Sequence, residues 1–238
     1  MNNTISHHYD LLIDENNDPV YDPKPLKDYM DKWDGTKFID KMNINKEKSV
    51  LEIGVGTGRL AIRVVPLCRR FCGVDISSKT IERAKENLSA YKNVELICND
   101  FLVADFEHEF DIIYSSLTFM HIKDKQRAFD KVREILSATG KFVLSIDKSQ
   151  SNYIDMNTRK IRIYPDSVYK TVEYIQNAKL KIEEQYETEF AYVFVCTKMY
   201  EWWHLNCTRI YIIPQRSKAE LYRIWETNIS RERKRVYR

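Results

Sequence analysis

Ser49-Val50-Leu51-Glu52-Ile53-Gly54-Val55-Gly56-Thr57-Gly58-Arg59 sets the architecture of this 238-residue chain. Val50, Leu51 and Ile53 form an apolar run of strand type, three glycines at alternate positions break it, and helix-compatible residues follow from Leu60. The order is strand, tight turn, helix. Lacking a Cβ, glycine tolerates φ > 0 and lets backbone N–H groups approach a ligand closely at a helix start. Such a unit is a candidate nucleotide site. It departs from the dinucleotide fingerprint G-x-G-x-x-G/A, because Arg59 stands where the third small residue belongs and Gly58 comes one position early. Glu52 is a second anomaly, an ionisable residue inside a strand that would otherwise be apolar.

Beyond the glycines, Leu60, Ala61, Val64 and Val65 give one helical face, which Pro66 limits. Phe71-Cys72-Gly73-Val74-Asp75 reads as the second strand. Asp75 ends it, where doubly wound folds place ligand contacts. A carboxylate there can accept hydrogen bonds from both hydroxyls of a ribose, and Ile76 would then lie against an adenine. The alternative is a cap for the next helix, which Ser77 and Ser78 also offer. Ile81, Ala84 and Leu88 mark an amphipathic helix. Val94 to Cys98 reads as a third strand, and the Asn99-Asp100-Phe101 that follows is by itself a turn signal. Phe110 to Ser116 reads as strand four. His121, just beyond it, is the nearby side chain whose unperturbed pKa suits a base near neutral pH; a histidine here can equally be a structural hydrogen-bonding group. Asp124 can cap a helix with the stripe Ala128, Val132, Ile135 and Leu136, ended by Gly140, before a fifth strand over Lys141 to Ile146. Tyr153 to Ile163 is a polar, β-rich insertion that could wall an acceptor site. A helix over Pro165 to Ala178 and a hairpin of Lys181 to Thr188 with Ala191 to Lys198 close the domain.

Glu-x-Gly-x-Gly-x-Gly after an apolar strand resembles motif I of the class I S-adenosylmethionine-dependent methyltransferases. The likeness runs from about Phe38 to Lys198 and is best with the broad small-molecule group. It implies an α/β, Rossmann-like fold: a seven-stranded doubly wound sheet with one antiparallel strand, preceded by a helical cover (1–45) and followed by an extension (199–238), with the cofactor domain over 46–198. It implies S-adenosylmethionine as cofactor, held by Glu52, Gly54, Gly56, Gly58, Asp75 and Ile76. In the family pattern Asp100 binds the adenine amino group, Phe101 covers the ring, and the segment with Ser115 carries backbone contacts. The implied reaction is methyl transfer to an oxygen or nitrogen of a small-molecule acceptor. A base, with His121 the candidate, is needed only if the acceptor must lose a proton. Strand four is followed neither by Asn/Asp-Pro-Pro-Tyr nor by a Pro-Cys nucleophile, which argues against amino-group methylation of bases or glutamine and against pyrimidine carbon methylation. In the resembled group the leader folds over the cofactor, so Tyr29 or Trp33 could line the site; the alternative is that they pack on the sheet edge.

A hydrophobic fraction of 43% supplies a core for one main domain, and a formal net charge of +3 creates no field that demands a nucleic-acid or membrane partner. The five cysteines have no paired C-x-x-C spacing, and Cys98 and Cys196 fall in apolar strand-like runs, so reduced core thiols are expected and no metal site. No signal peptide or membrane-length apolar run is visible, and His7-His8 lie at an amino terminus expected to be mobile. The expectation is a cytoplasmic monomer or homodimer. After residue 199 come the aromatics Tyr200, Trp202, Trp203 and Tyr211, a predicted helix over Ser217 to Ser230, and the basic run Arg231-Glu232-Arg233-Lys234-Arg235. These suit an appendage docking on its own domain or a second subunit. A nucleic-acid clamp is the alternative, and with it come the rival functions of RNA methylation or a non-catalytic cofactor- or RNA-binding regulator.

Overall fold

The first strand, β1 (Ser49–Ile53), is buried at all of its positions, Glu52 included, as a parallel strand covered on both faces must be. The computed structural model describes residues 3–156 and 159–199. The aromatic cluster, predicted helix and basic run beyond residue 199, and Cys207, lie outside the described residues. The other main strands are β2 (Arg70–Asp75), β3 (Val94–Cys98), β4 (Phe110–Ser116), β5 (Leu136–Asp147), β8 (Leu180–Glu187) and β9 (Ala191–Lys198). They form one seven-stranded sheet in the order β3-β2-β1-β4-β5-β9-β8. β9 is antiparallel to both neighbours, while the remaining pairings are parallel. The expected fold class is therefore the observed one. The chain steps from β1 to β2 on one side and later returns to place β4 on the other, so a crevice opens at the carboxyl ends of β1 and β4.

Side chains alternate across the sheet. Leu51, Ile53 and Val74 face α6 (Lys125–Ile135) and α7 (Val168–Asn177), whose Phe129, Val132 and Ile175 complete one core. Val50, Phe71 and Tyr114 face α3 (Gly35–Met42), α4 (Ala61–Val64) and α5 (Ser78–Asn87), meeting Phe38, Val64 and Ile81. Two further helices, α1 (Asn3–Asp14) and α2 (Lys24–Met30), precede these, and the insertion after β5 is a hairpin of β6 (Tyr153–Asp155) and β7 (Lys160–Arg162).

Three sequence expectations change here. The sixth helix ends at Ile135 and β5 begins at Leu136, so Gly140 lies within the strand instead of ending the helix. The register against β4 jumps between Phe110 and Ile112, and in that bulge a Cβ on Gly140 would sit 2.7 Å from the Leu136 side chain. Cys98 is exposed on the edge strand β3, whereas Cys68, Cys72 and Cys196 are buried free thiols. Burial raises those three, to about 11, 12 and 12, so they stay protonated. The amino terminus is a helix, and His8 within it is buried.

Candidate active site

Gly54, Gly56 and Gly58 have φ of +76°, +57° and +99°, a region costly for any side chain, and they do three different things. A Cβ on Gly54 would strike Thr118 Oγ1 at 2.0 Å, so this glycine lets the loop after β4 come up against the turn. A Cβ on Gly56 would enter open space. At Gly58 it would meet Leu88 at 3.5 Å, an ordinary contact within the fold. The open space is a cavity of about 450 Å³ lined by Glu52, Gly54, Gly56, Asp75, Ile76, Asp100, Phe101 and His121 together with Arg59, Ser116 and Thr118. Two sequence candidates are not in its wall. Gly58 serves the turn into the helix. Ser115 is fully buried and donates to the Ile53 carbonyl at 2.9 Å; by the alternation of strand side chains, its neighbour Ser116 is the one that faces the cavity.

Asp75 anchors the turn. One carboxylate oxygen accepts the Gly56 N–H and the other the Ser77 N–H, each at 3.0 Å. Burial raises its pKa above the usual carboxylate value, against the pull of these N–H groups. Ser77, not Asp75, caps α5, its hydroxyl accepting the Thr80 N–H. Glu52 lies on the opposite side of β1 from Leu51 and Ile53, lines the cavity and accepts the Tyr114 hydroxyl at 2.7 Å. Burial pushes its pKa up to about 8, although the Tyr114 hydrogen bond and the Arg59 charge work the other way. Arg59, the residue out of place in the dinucleotide pattern, has a buried partner. Its guanidinium bonds both carboxylate oxygens of Asp34, at 3.2 and 2.5 Å. Asp34 also accepts the Ser116 hydroxyl at 2.7 Å and the Gly35 N–H at the start of α3. No sequence signal marked Asp34; the anomaly at Arg59 was the only pointer to this pair.

His121 closes a 3₁₀ turn after β4, with its Nε2 2.7 Å from the Tyr9 hydroxyl of α1. Burial lowers its pKa to about 4, and burial likewise holds the Tyr9 proton in place. A neutral ring accepts the Tyr9 O–H at Nε2 when its own proton is on Nδ1, which is buried without a partner among the described residues. The pair ties the leader to the loop after β4. Other fastenings run along α1: Ser6 donates to the Ile76 carbonyl, and Asp10 accepts the Ser77 hydroxyl at 2.6 Å and the Lys79 N–H at 3.2 Å, at the start of α5. Lys79 pairs with Asp14. From the insertion, Arg159 grips Glu15 with two hydrogen bonds and donates to His8 Nδ1 at 2.9 Å. The leader does cover the cavity, but through Ile5, Tyr9, Pro19 and Met30. Tyr29 and Trp33 instead pack against Phe190 on the β8–β9 hairpin. Trp33 lines a second, smaller cavity beyond Leu117 and Met120.

A family model described as "Methyltransferase domain" matches residues 44–225. The chain belongs to this methyltransferase family. Malonyl-[acyl-carrier protein] O-methyltransferase 1 of Ilyobacter polytropus is 32% identical over 118 residues, which are 45% of this chain and 43% of that protein. Phosphoethanolamine N-methyltransferase of Plasmodium falciparum is 28% identical over 113 residues, 46% of this chain and 42% of that one. The chain spans about half the length, or less, of these two curated relatives. Among solved structures, the DhpI complex with S-adenosylhomocysteine superposes with a TM-score of 0.63 at 17% identity, covering 81% of this chain and 94% of that one. An S-adenosylmethionine-dependent methyltransferase of Clostridium acetobutylicum gives 0.59 at 15%, covering 83% and 98%. These likenesses give the methyltransferase its class I fold.

The cavity fits the cofactor of that class. Its volume lies in the range of about 300–1,000 Å³ usual for small-molecule and cofactor sites. The Gly56 cradle leaves backbone open to a ligand, Ile76 and Phe101 bring apolar surface to the wall, and Glu52, Asp75, Asp100 and Asp124 supply carboxylates suited to sulfonium and ammonium charges. Arg59 and Lys123 are the basic residues of the wall, and Arg59 is already paired with Asp34. No described helix is long and apolar enough to cross a membrane, and the described residues hold no cluster of His, Cys, Asp or Glu able to bind a metal.

Proposed function

We propose that this methyltransferase moves the methyl group of S-adenosylmethionine to a nitrogen or oxygen of a small-molecule acceptor. The observation that carries the reading is the Gly56 cradle, held open by Asp75 within a carboxylate-walled cavity at the carboxyl ends of β1 and β2. When bound, the cofactor supplies an electrophilic methyl group, so the protein's work is to orient the two reactants and exclude water. Each Asp75 oxygen holds one backbone N–H and keeps a lone pair for a ribose hydroxyl. Glu52 offers a buried carboxylate to a cationic head, Asp100 and Phe101 take the base end, and Ile76 lies along it. His121 is a weak proton acceptor with a pKa near 4. Its role here is to position Tyr9, and through it α1, over the site.

The test is thermal. S-adenosylhomocysteine at a hundred times its Kd should stabilise the protein by about 2.7 kcal/mol, and NAD should not. Gly56→Val, which fills the cradle and opposes φ > 0, should abolish the effect. Stabilisation by NAD alone, or an unchanged response in the mutant, would overturn the reading.

A further inference from the structure

The second cavity, about 210 Å³, shares two wall residues with the first, Leu117 and Met120. Both lie in the loop after β4, where the two spaces adjoin. Leu117 is held there at φ +57°, a conformation that a leucine adopts at a cost. The rest of the wall comes from the end of β5 and the insertion after it, with Trp33 from the leader.

Its charge is one-sided. Asp147 and Asp166 are the charged residues lining it, and no basic side chain joins them. Asp166 is buried and pairs at 2.7 Å with Lys125, itself buried and also bonded to the Phe119 carbonyl. That cation is spent on Asp166, while Asp147 accepts only the Ser149 N–H among the bonds described. The nearest lysine in sequence, Lys148, turns away to Glu187 and the Tyr192 ring. A net negative charge therefore remains in the wall. Trp33 and Tyr153 add aromatic rings, which attract cations by their faces. The Trp33 indole N–H is buried without an acceptor among the described residues, a donor that a polar ligand can satisfy.

We infer that the smaller cavity holds the methyl acceptor and that this acceptor is a small amine, drawn in as its ammonium form by Asp147 and the aromatic wall. This rests on the reading of the larger cavity as the cofactor site. The cavity is smaller than those of drug-sized ligands, which keeps the acceptor small. The acidic wall disfavours a carboxylate or phosphate at this position, because a like charge in a half-buried site costs several times more than in water. Before transfer the ammonium loses one proton to water. The nitrogen lone pair then forms the N–C bond as the S–C bond breaks, its electron pair staying on sulfur, and the product leaves as the methylated ammonium.

The experiment uses the full chain saturated with S-adenosylhomocysteine, with glycinamide and propylamine as amine probes and propionate as their anionic counterpart. The amines should raise the melting temperature further and propionate should not. Asp147→Asn, which keeps an oxygen for the Ser149 N–H, should weaken amine binding about tenfold while leaving the affinity for S-adenosylhomocysteine unchanged. Tyr153→Ala, at a half-exposed position that tolerates truncation, should weaken it several-fold. Propionate binding as well as the amines, no response to any amine, or full amine affinity in both variants would overturn the inference with the cofactor reading intact. Failure of S-adenosylhomocysteine itself to bind would overturn both.

Discussion

Glu52 shows how one side chain can link pH, folding and ligand. Its pKa is raised from 4.5 to about 8 in the fold, chiefly by burial. The folded state therefore holds the proton more tightly than the unfolded chain. The stability this contributes is complete below about pH 4.5 and is lost as pH rises through about 8, by up to a few kcal/mol. Glu52→Gln cannot titrate, so its melting temperature should change less between pH 5 and pH 8 than that of the native protein. In the same window a cationic cofactor favours the ionised carboxylate, so native affinity for S-adenosylmethionine should rise with pH while that of the mutant stays flat. Calorimetric titration at the two pH values checks both halves. The glycines give a second contrast. Gly54→Ala would drive a methyl group into Thr118 and should cost about 1–3 kcal/mol of stability for the overpacking, plus the strain of its positive φ. Gly56→Ala meets no atom and should cost only about 1–2 kcal/mol from strain, yet lose at least about tenfold in cofactor affinity. Chemical denaturation beside ligand titration separates the two. The sequence marked these residues as a group because glycine spacing is visible in one dimension. It could not assign them separate tasks, since Thr118 and Leu88 reach them from distant parts of the chain.

Among the elements, the sheet strands are legible in the sequence, whereas of the leader only its helical, covering character is, and not its contacts. Apolar runs of five to eight residues bounded by turns carry strand information locally, so β2, β3, β4, β8 and β9 fall close to where the sequence places them. The start of β5 was misread because Leu136 continues the helical stripe of Ile135 while pairing as a strand with Phe110. On β4 the side chain of Ser116 faces the cavity and that of Ser115 the interior, a distinction the run of two serines does not carry. Helix α1 has no motif, and its contacts are single polar pairs with residues far along the chain. Tyr9→Phe keeps the ring against His121 and removes only the hydroxyl. It should leave the global melting temperature nearly unchanged, cost about 1 kcal/mol of closure, and speed amide exchange across residues 3–14. Hydrogen exchange read by mass spectrometry measures that directly. Uniform exchange in mutant and native protein would mean that the other fastenings suffice.

At the scale of the molecule, the fastened leader imposes an order of departure. Of the two cavities described, the larger has Ile5 and Tyr9 of α1 in its wall, and the smaller has no wall in that helix. If the larger space holds the cofactor and α1 must lift for the spent nucleoside to exit, the bonds at Ser6, Tyr9, Asp10, Asp14 and Glu15 have to give way first, whereas a product in the smaller cavity need break none of them. Steady-state kinetics should then be sequential, with S-adenosylhomocysteine the last to leave. It should inhibit competitively against S-adenosylmethionine and noncompetitively against the acceptor, and turnover in crowded product should be throttled by the accumulating nucleoside long before the methylated compound has any effect.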